Sequence, residues 1–253
     1  MRRVFITGGA SGIGAAFAKR FLALGDHVAI SDVDQEALDE MRQAHPELIA
    51  LRGNVSDPDD MQAVFQEVEA SLGGIDVVFA NAGTGGPAGR IEELDLSAAA
   101  TCLSVNVMGA MVTCAWAAKV MRAQGSGSIV LTSSTAGQWG YPYRTPYAAA
   151  KWGIVGLTKS LAMELGEAGI RVNASCPGAV EGDRMDRVVA AEARAKNKDE
   201  ADVRAQYVTG VSMKTWISVD DLADTVEWLV SDQARKISGQ VISIDGNTET
   251  LNP

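Results

Sequence analysis

Thr7-Gly8-Gly9-Ala10-Ser11-Gly12-Ile13-Gly14 is the stretch whose reading decides the fold. It follows a short apolar run at residues 3–6 and leads into a helical pattern at residues 12–24. A glycine in such a turn can take positive φ and leaves bare backbone that a pyrophosphate can approach. The next helix adds unpaired N–H groups and the positive end of a dipole. Three glycines alone make only a tight turn. Their place between a first strand and a first helix turns the pattern into a dinucleotide-binding expectation. Gly8, Ser11, Gly12, Ile13 and Gly14 are its candidate contacts.

The same alternation continues outward along the chain. Strands are expected at residues 27–31, 48–52, 76–80, 128–132, 171–175 and 241–244. Helices are expected between them at 35–44, 58–71, 97–121, 147–164 and 220–229. The strands are nearly continuous in Val, Ile and Ala, as strands covered on both faces should be. Short links between strand and helix imply an α/β doubly wound parallel sheet, a Rossmann fold in three αβα layers. The 253 residues suit one domain over 1–253. A charged helix at 190–206 reads as part of a substrate lid at about 180–216, not as a second domain.

The bulk numbers exclude several classes. Net charge is -10, which disfavours nucleic-acid and anionic-membrane partners. No apolar run approaches the length of a membrane span. The N-terminus leaves no room for a signal peptide. Cys102, Cys114 and Cys176 are too scattered for a disulfide framework or a metal site, and His27 and His45 are isolated. A cytoplasmic protein without metal is expected.

Asp32 ends the second strand, 18 residues after Gly14. A carboxylate there can accept hydrogen bonds from both adenosine ribose hydroxyls and would repel a 2′-phosphate. The expected cofactor is therefore NAD rather than NADP, since no basic residue stands near Ala10, Ser11 or Asp32 in sequence. Asp32 or Asp34 could instead merely cap the next helix.

Tyr147 and Lys151 are four apart, which puts them on one helix face. An ammonium beside a phenol favours the phenolate, as general acid/base work near neutrality requires. Such a pair also occurs by chance. Its place beyond the strand at 128–132, on the sheet edge where α/β ligands bind, gives it weight.

With these residues on the page, the chain resembles the short-chain dehydrogenase/reductase family over essentially its whole length. The matching elements are Thr7-Gly8…Gly12-Ile13-Gly14, Asn81-Ala82-Gly83, Asn106, Ser134, Tyr147…Lys151, Pro177-Gly178 and Ser238-Gly239-Gln240…Asp245-Gly246. The resemblance implies Tyr147 as proton donor and acceptor, with Lys151 lowering its pKa and holding the nicotinamide ribose. It implies Ser134, more than Ser133, as the group that bonds the substrate oxygen, and Asn106 as the anchor of a water in a proton relay. Asn81, Ala82 and Gly83 would pack under adenine and ribose, and Pro177, Gly178 and Val180 would border the cofactor. Two positions depart from the family pattern. Asn54-Val55 replaces the usual aspartate before valine, and Gly182 stands where a threonine often bonds the carboxamide.

The substrate, a small alcohol or carbonyl compound, would meet residues 84–87, 138–143 and 180–216. Ser134, Gln138, Tyr141 and Tyr147 are its candidate contacts, and Arg144, Arg184 or Arg187 could clamp a carboxylate. Apolar helix faces around Ala148, Ala149, Trp152, Val155 and Met163 suggest a homo-oligomer, a tetramer or a dimer. The alternatives are a non-catalytic NAD-binding regulator on the same fold, an NADP-dependent carbonyl or 3-oxoacyl reductase, and an epimerase of the family's longer branch. That branch carries a larger C-terminal substrate domain.

Overall fold

In the computed structural model seven strands form one parallel sheet in the order β3-β2-β1-β4-β5-β6-β7. They are β1 (Arg3–Thr7), β2 (His27–Asp32), β3 (Ile49–Arg52), β4 (Val77–Ala80), β5 (Gly127–Thr132), β6 (Ile170–Pro177) and β7 (Val241–Ile244). The helices are α1 (Gly12–Ala23), α2 (Gln35–Ala44), α3 (Pro58–Leu72), α4 (Leu96–Leu103), α5 (Gly109–Gln124), α6 (Thr145–Leu165), α7 (Asp183–Lys196), α8 (Glu200–Thr209) and α9 (Val219–Val230). Residues 1–251 are described, apart from the side chains of residues 183, 184, 191, 195 and 196.

Successive strand residues point to opposite faces, so each strand feeds two cores. Val4 and Ile6 pack with Phe17, Phe21, Leu222, Val226 and Leu229 under α1 and α9. Phe5 goes the other way, to Phe65, Met121, Ile129 and Ile154. There the Phe65 ring stacks on Trp116 at 4.5 Å and 2°. Covered faces on both sides explain why the strands show continuous rather than alternating apolar character.

The strand order reverses between β1 and β4, and that switch point opens the crevice. Asn81, just past β4, closes its floor. Its Nδ2 donates to the Thr7 and Gly8 carbonyls at 3.1 and 3.2 Å, and its Oδ1 accepts from Thr132 Oγ1 at 3.1 Å. One amide thus ties β1, β4 and β5 at their C-terminal ends.

Two expectations are corrected. The single helix expected at 97–121 is α4 and α5 joined by a π-helical turn, Ser104–Met108. One extra residue per turn rotates Asn106 into the core. The charged helix expected at 190–206 is two helices. Asn197 takes φ 49 and ends α7, and Asp199 caps α8 by accepting from Ala201 N. The continuous helical stretch Leu96–Gln124 is, by length and composition alone, apolar enough to cross a membrane. Its inner face, with Cys102, Ala110, Cys114, Ala117 and Met121, is core of this domain.

The segment expected to form a lid, residues 180–216, has its own small cluster of Val189, Ala193 and Val203, packed against Met185, Tyr207 and Trp216. Its two ends are joined to each other by a parallel bridge between Val180 and Ile217.

Candidate active site

The glycine turn is crowded where it must be tight and open where it meets solvent. Gly8 and Gly12 take φ 63 and 53. A Cβ on Gly14 would lie 2.1 Å from the Gly8 carbonyl oxygen, and one on Gly8 would lie 2.8 Å from Ala82 Cα. Around Gly12 nothing lies within 4 Å of such a Cβ. Ser11, the residue before α1, makes no side-chain cap, so the first N–H groups of the helix face outward. Ile13 packs inward on the core. This is a cradle of bare backbone at a helix N-terminus, the shape a pyrophosphate requires.

Asp32 stands at the end of β2, half-buried. Its Oδ2 accepts from Ala10 N at 3.1 Å and its Oδ1 from Val33 N at 2.8 Å, which braces the glycine turn. The cap of α2 is Asp34, whose carboxylate accepts from Ala37 N at 3.1 Å. The capping role thus falls to the neighbour. The absence of a nearby base, read from the sequence, is corrected: Arg52 is the register partner of Asp32 on β3. The two are 20 residues apart in the chain and become neighbours only through strand pairing.

The departure at Asn54 has a local use. Its Oδ1 accepts from Ser56 N and Ser56 Oγ at 3.1 and 2.7 Å, a turn that leads into α3. Val55 packs against the Cα of Gly109. Pro177 ends β6, Gly178 N donates to the Ile244 carbonyl at 3.0 Å, and Val180 forms the lid bridge. Gly182 takes φ 133 as the residue before α7, a conformation a threonine adopts poorly.

Lys151, on α6, is buried at 4% exposure. Its Nζ donates to the Thr132 carbonyl at 2.9 Å and lies 5.6 Å from the Tyr147 ring centroid. Asn106 arrives opposite from the π turn. Its Nδ2 donates to the carbonyls of Thr84 and Cys102 at 2.9 and 2.8 Å. Its Oδ1 is buried and has no hydrogen-bond partner among the described residues. A Cβ on Gly83 would lie 2.6 Å from that oxygen and 3.4 Å from Lys151 Nζ, so both groups face the space that glycine leaves. A buried acceptor of this kind suits a bound water.

The two adjacent serines separate cleanly. Ser133 is buried, and its Oγ donates to the Lys151 carbonyl at 2.8 Å, inside the wall. Ser134 is half-buried, and its Oγ accepts from Ala136 N at 3.2 Å, keeping its own proton to donate. The remaining candidates scatter. Gln138 Oε1 accepts from Ser243 Oγ at 2.8 Å, beside a cavity of about 310 Å³ lined also by Trp139, Asp245, Asn247 and Thr248. Tyr141 meets the lid, its hydroxyl 3.5 Å from that of Tyr207, which donates to Glu192 at 2.5 Å. Burial pushes the Tyr141 phenol up, while Tyr207 and Arg144 pull the other way. Arg187 is exposed on α7, and the Arg184 side chain lies outside the described residues.

Sequence reasoning passed over one group and left another undistinguished. Thr132 supplies the carbonyl that holds Lys151, which only the fold reveals. Arg144, named as one arginine among three, lies with its guanidinium carbon 5.5 Å from the Tyr147 ring centroid.

Fold and site define a nucleotide-binding oxidoreductase of the doubly wound class. A family model described as enoyl-(acyl carrier protein) reductase matches residues 8–247. The chain is 33% identical over 97% of its length to cis-4-hydroxycyclohexanecarboxylate dehydrogenase of Sinomonas cyclohexanicum, covering 95% of that protein. Its similarity to levodione reductase of Leifsonia aquatica is also 33%, over 97% of this chain and 93% of the relative. The crystal structure of levodione reductase superposes with a TM-score of 0.91 at 32% identity, covering 97% of this chain and 96% of that one. NAD⁺-bound xylitol dehydrogenase gives 0.91 at 27% identity, over 96% and 97% of the two chains. An actinorhodin polyketide ketoreductase with NADPH gives 0.91 at 28%, over 97% and 96%. The chain belongs to the short-chain dehydrogenase/reductase family.

Proposed function

We propose that this protein is an NAD-dependent oxidoreductase that interconverts a secondary alcohol and a ketone, with Tyr147 as general acid/base. One observation carries the reading. A buried ammonium, Lys151, is held by the carbonyl of Thr132 at the C-terminal end of β5 and lies 5.6 Å from the Tyr147 ring centroid. The open backbone at Gly12 and the carboxylate of Asp32 fit a dinucleotide. When bound, NAD supplies the two-electron acceptor or donor; the protein supplies binding, orientation and the proton path.

In the oxidative direction Tyr147 Oη accepts the alcohol proton. The adjacent Lys151 charge favours the phenolate that can take it. Ser134 Oγ donates to the substrate oxygen and orients it. Asn106 Oδ1 holds a water that can refill the chain through Lys151, which accounts for a buried acceptor without a hydrogen-bond partner among the described residues. Ser133 holds α6 in place. Removing the Tyr147 hydroxyl tests this directly. Tyr147→Phe should lower kcat by about 10²–10⁴, followed as NADH absorbance over a panel of secondary alcohols. NAD affinity by calorimetry should be nearly unchanged. Activity surviving at the parental level would overturn the mechanism.

A second reading, an NADP-dependent carbonyl or 3-oxoacyl reductase, has one observation in its favour, the placement of Arg52 beside Asp32. The Asp32 carboxylate already engaged with the turn supports NAD. The non-catalytic reading leaves the Lys151–Tyr147 pair without a purpose.

The substrate class includes small alcohols and ketones, and the relative named for cis-4-hydroxycyclohexanecarboxylate makes a hydroxy acid a natural first test. We further propose a cytoplasmic homo-oligomer. Three buried, unbridged thiols suit a reducing compartment. The exposed apolar side chains of α4, α5 and α6 suit a second copy.

A further inference from the structure

The turn before α6 brings a second cation, Arg144, to the Tyr147 ring. Tyr143 takes φ 62, unusual for a bulky residue, and its carbonyl accepts from Gly89 N at 2.9 Å. Arg144 N donates to the Tyr141 carbonyl at 3.2 Å, so the turn before α6 is pinned at both ends. The guanidinium carbon then lies 5.5 Å from the Tyr147 ring centroid and 5.7 Å from that of Tyr141. Nη2 donates to the Gly85 carbonyl at 2.9 Å. A Cβ on Gly85 would lie only 2.7 Å from Nη2, so the loop after Gly83 is shaped to receive this side chain.

What Arg144 lacks is an anion. Among the described residues the arginine ion pairs use Arg2, Arg3, Arg20, Arg42 and Arg204, and none involves Arg144. Its Nε–H is buried with no acceptor among the described residues. A guanidinium keeps its charge at every accessible pH, and a buried donor left unmet destabilises the fold. A turn in strained conformation that presents such a group beside the reacting phenol calls for a partner that arrives with the ligand.

We propose that Arg144 is a specificity-determining residue that binds a carboxylate on the substrate, so that the preferred substrates are secondary hydroxy-carboxylates and their keto-acids. This deepens the alcohol/ketone reading above and rests on it. A single planar fork of N–H donors matches a carboxylate better than a neutral amide or ester, which offers no charge and fewer acceptor positions. Binding the anion there would hold the carbinol carbon against Tyr147 and Ser134. Of the arginines considered from the sequence, Arg144 lies against the Tyr147 ring and Arg187 is exposed on α7, while the Arg184 side chain lies outside the described residues.

The test compares one hydroxy-carboxylate with its own carboxamide and methyl ester, using purified wild type, Arg144→Gln and Arg144→Lys. Wild type should favour the acid in kcat/KM by at least about tenfold, the scale of one charged hydrogen-bonded contact. In Arg144→Gln that ratio should fall to near unity, mainly through KM for the acid. Arg144→Lys should retain part of it, and the pH profile of kcat should keep its shape. A wild type without acid preference, or equal losses on acid and amide with a displaced pH profile, would overturn the anchor. The wild-type ratio decides even if a variant fails to fold. Turnover of neutral alcohols without acid preference sinks the anchor alone. Turnover of no alcohol with either cofactor sinks the underlying reading as well.

Discussion

Asp32 shows how one side chain can serve two purposes. Its carboxylate braces Ala10 N, so the group that would read the ribose also shapes the glycine turn. Removing it should therefore affect more than discrimination. Asp32→Ala should weaken NAD binding and move the preference toward NADP, with Arg52 nearby to receive a 2′-phosphate. Initial rates with both cofactors check this. Identical kinetic constants for both in the variant and wild type would remove Asp32 from the site. A double variant with Arg52→Ala should lose the gain in NADP use. At this scale the sequence displayed which residue types were present, but not which of two neighbours did the work. Ser133 and Ser134 are chemically identical; burial alone makes the first structural and leaves the second available.

Among the elements, α1 and the π turn carry the site. Gly14 lets α1 approach the backbone of β1, and a methyl group there would collide with the Gly8 carbonyl rather than with a movable side chain. Gly14→Ala should destabilise the protein by about 1–3 kcal/mol, the usual cost of overpacking. It should also abolish cofactor binding. Thermal unfolding with and without NAD separates the two effects, and a variant stabilised by NAD as strongly as wild type would contradict the account. The existence of the strand, the turn and α1 was legible because glycine spacing and apolar runs are local. The π turn was not. Ser104-Val105-Asn106-Val107-Met108 looks like ordinary helix, and the extra residue is inserted because Asn106 gains the carbonyls of Thr84 and Cys102. The break at Asn197 between α7 and α8 escaped notice for a related reason. Most of the surrounding residues are good helix formers, and a single left-handed asparagine ends the run.

Over the whole molecule, the inner faces of α4, α5 and α6 feed the core while their outer faces stay apolar. Leu103, Met108, Met111, Trp152 and Met163 are exposed, with Met163 at 85%. Apolar side chains gathered on adjoining helices fit a self-complementary contact between copies. Trp152→Glu combined with Met163→Glu should convert the proposed homo-oligomer to monomers while leaving the fold intact. Light scattering after size exclusion, with circular dichroism as control, reads both. A wild type already monomeric at micromolar concentration would refute the assembly. The long helical stretch 96–124 is apolar for this double reason, core on one side and proposed contact on the other.

The chain's own order of residues determined the layered α/β architecture, the dinucleotide turn and the Tyr147–Lys151 pair. Each depends on spacing within a few residues, where periodicity and backbone sterics act. Only the tertiary structure decided that Arg52 stands beside Asp32, that Asn106 turns inward, that Ser134 rather than Ser133 is open, and that Arg144 faces the phenol without an anion. Those facts arise where segments distant in the chain are brought together by burial of the two cores, and no local pattern encodes which of their side chains will meet.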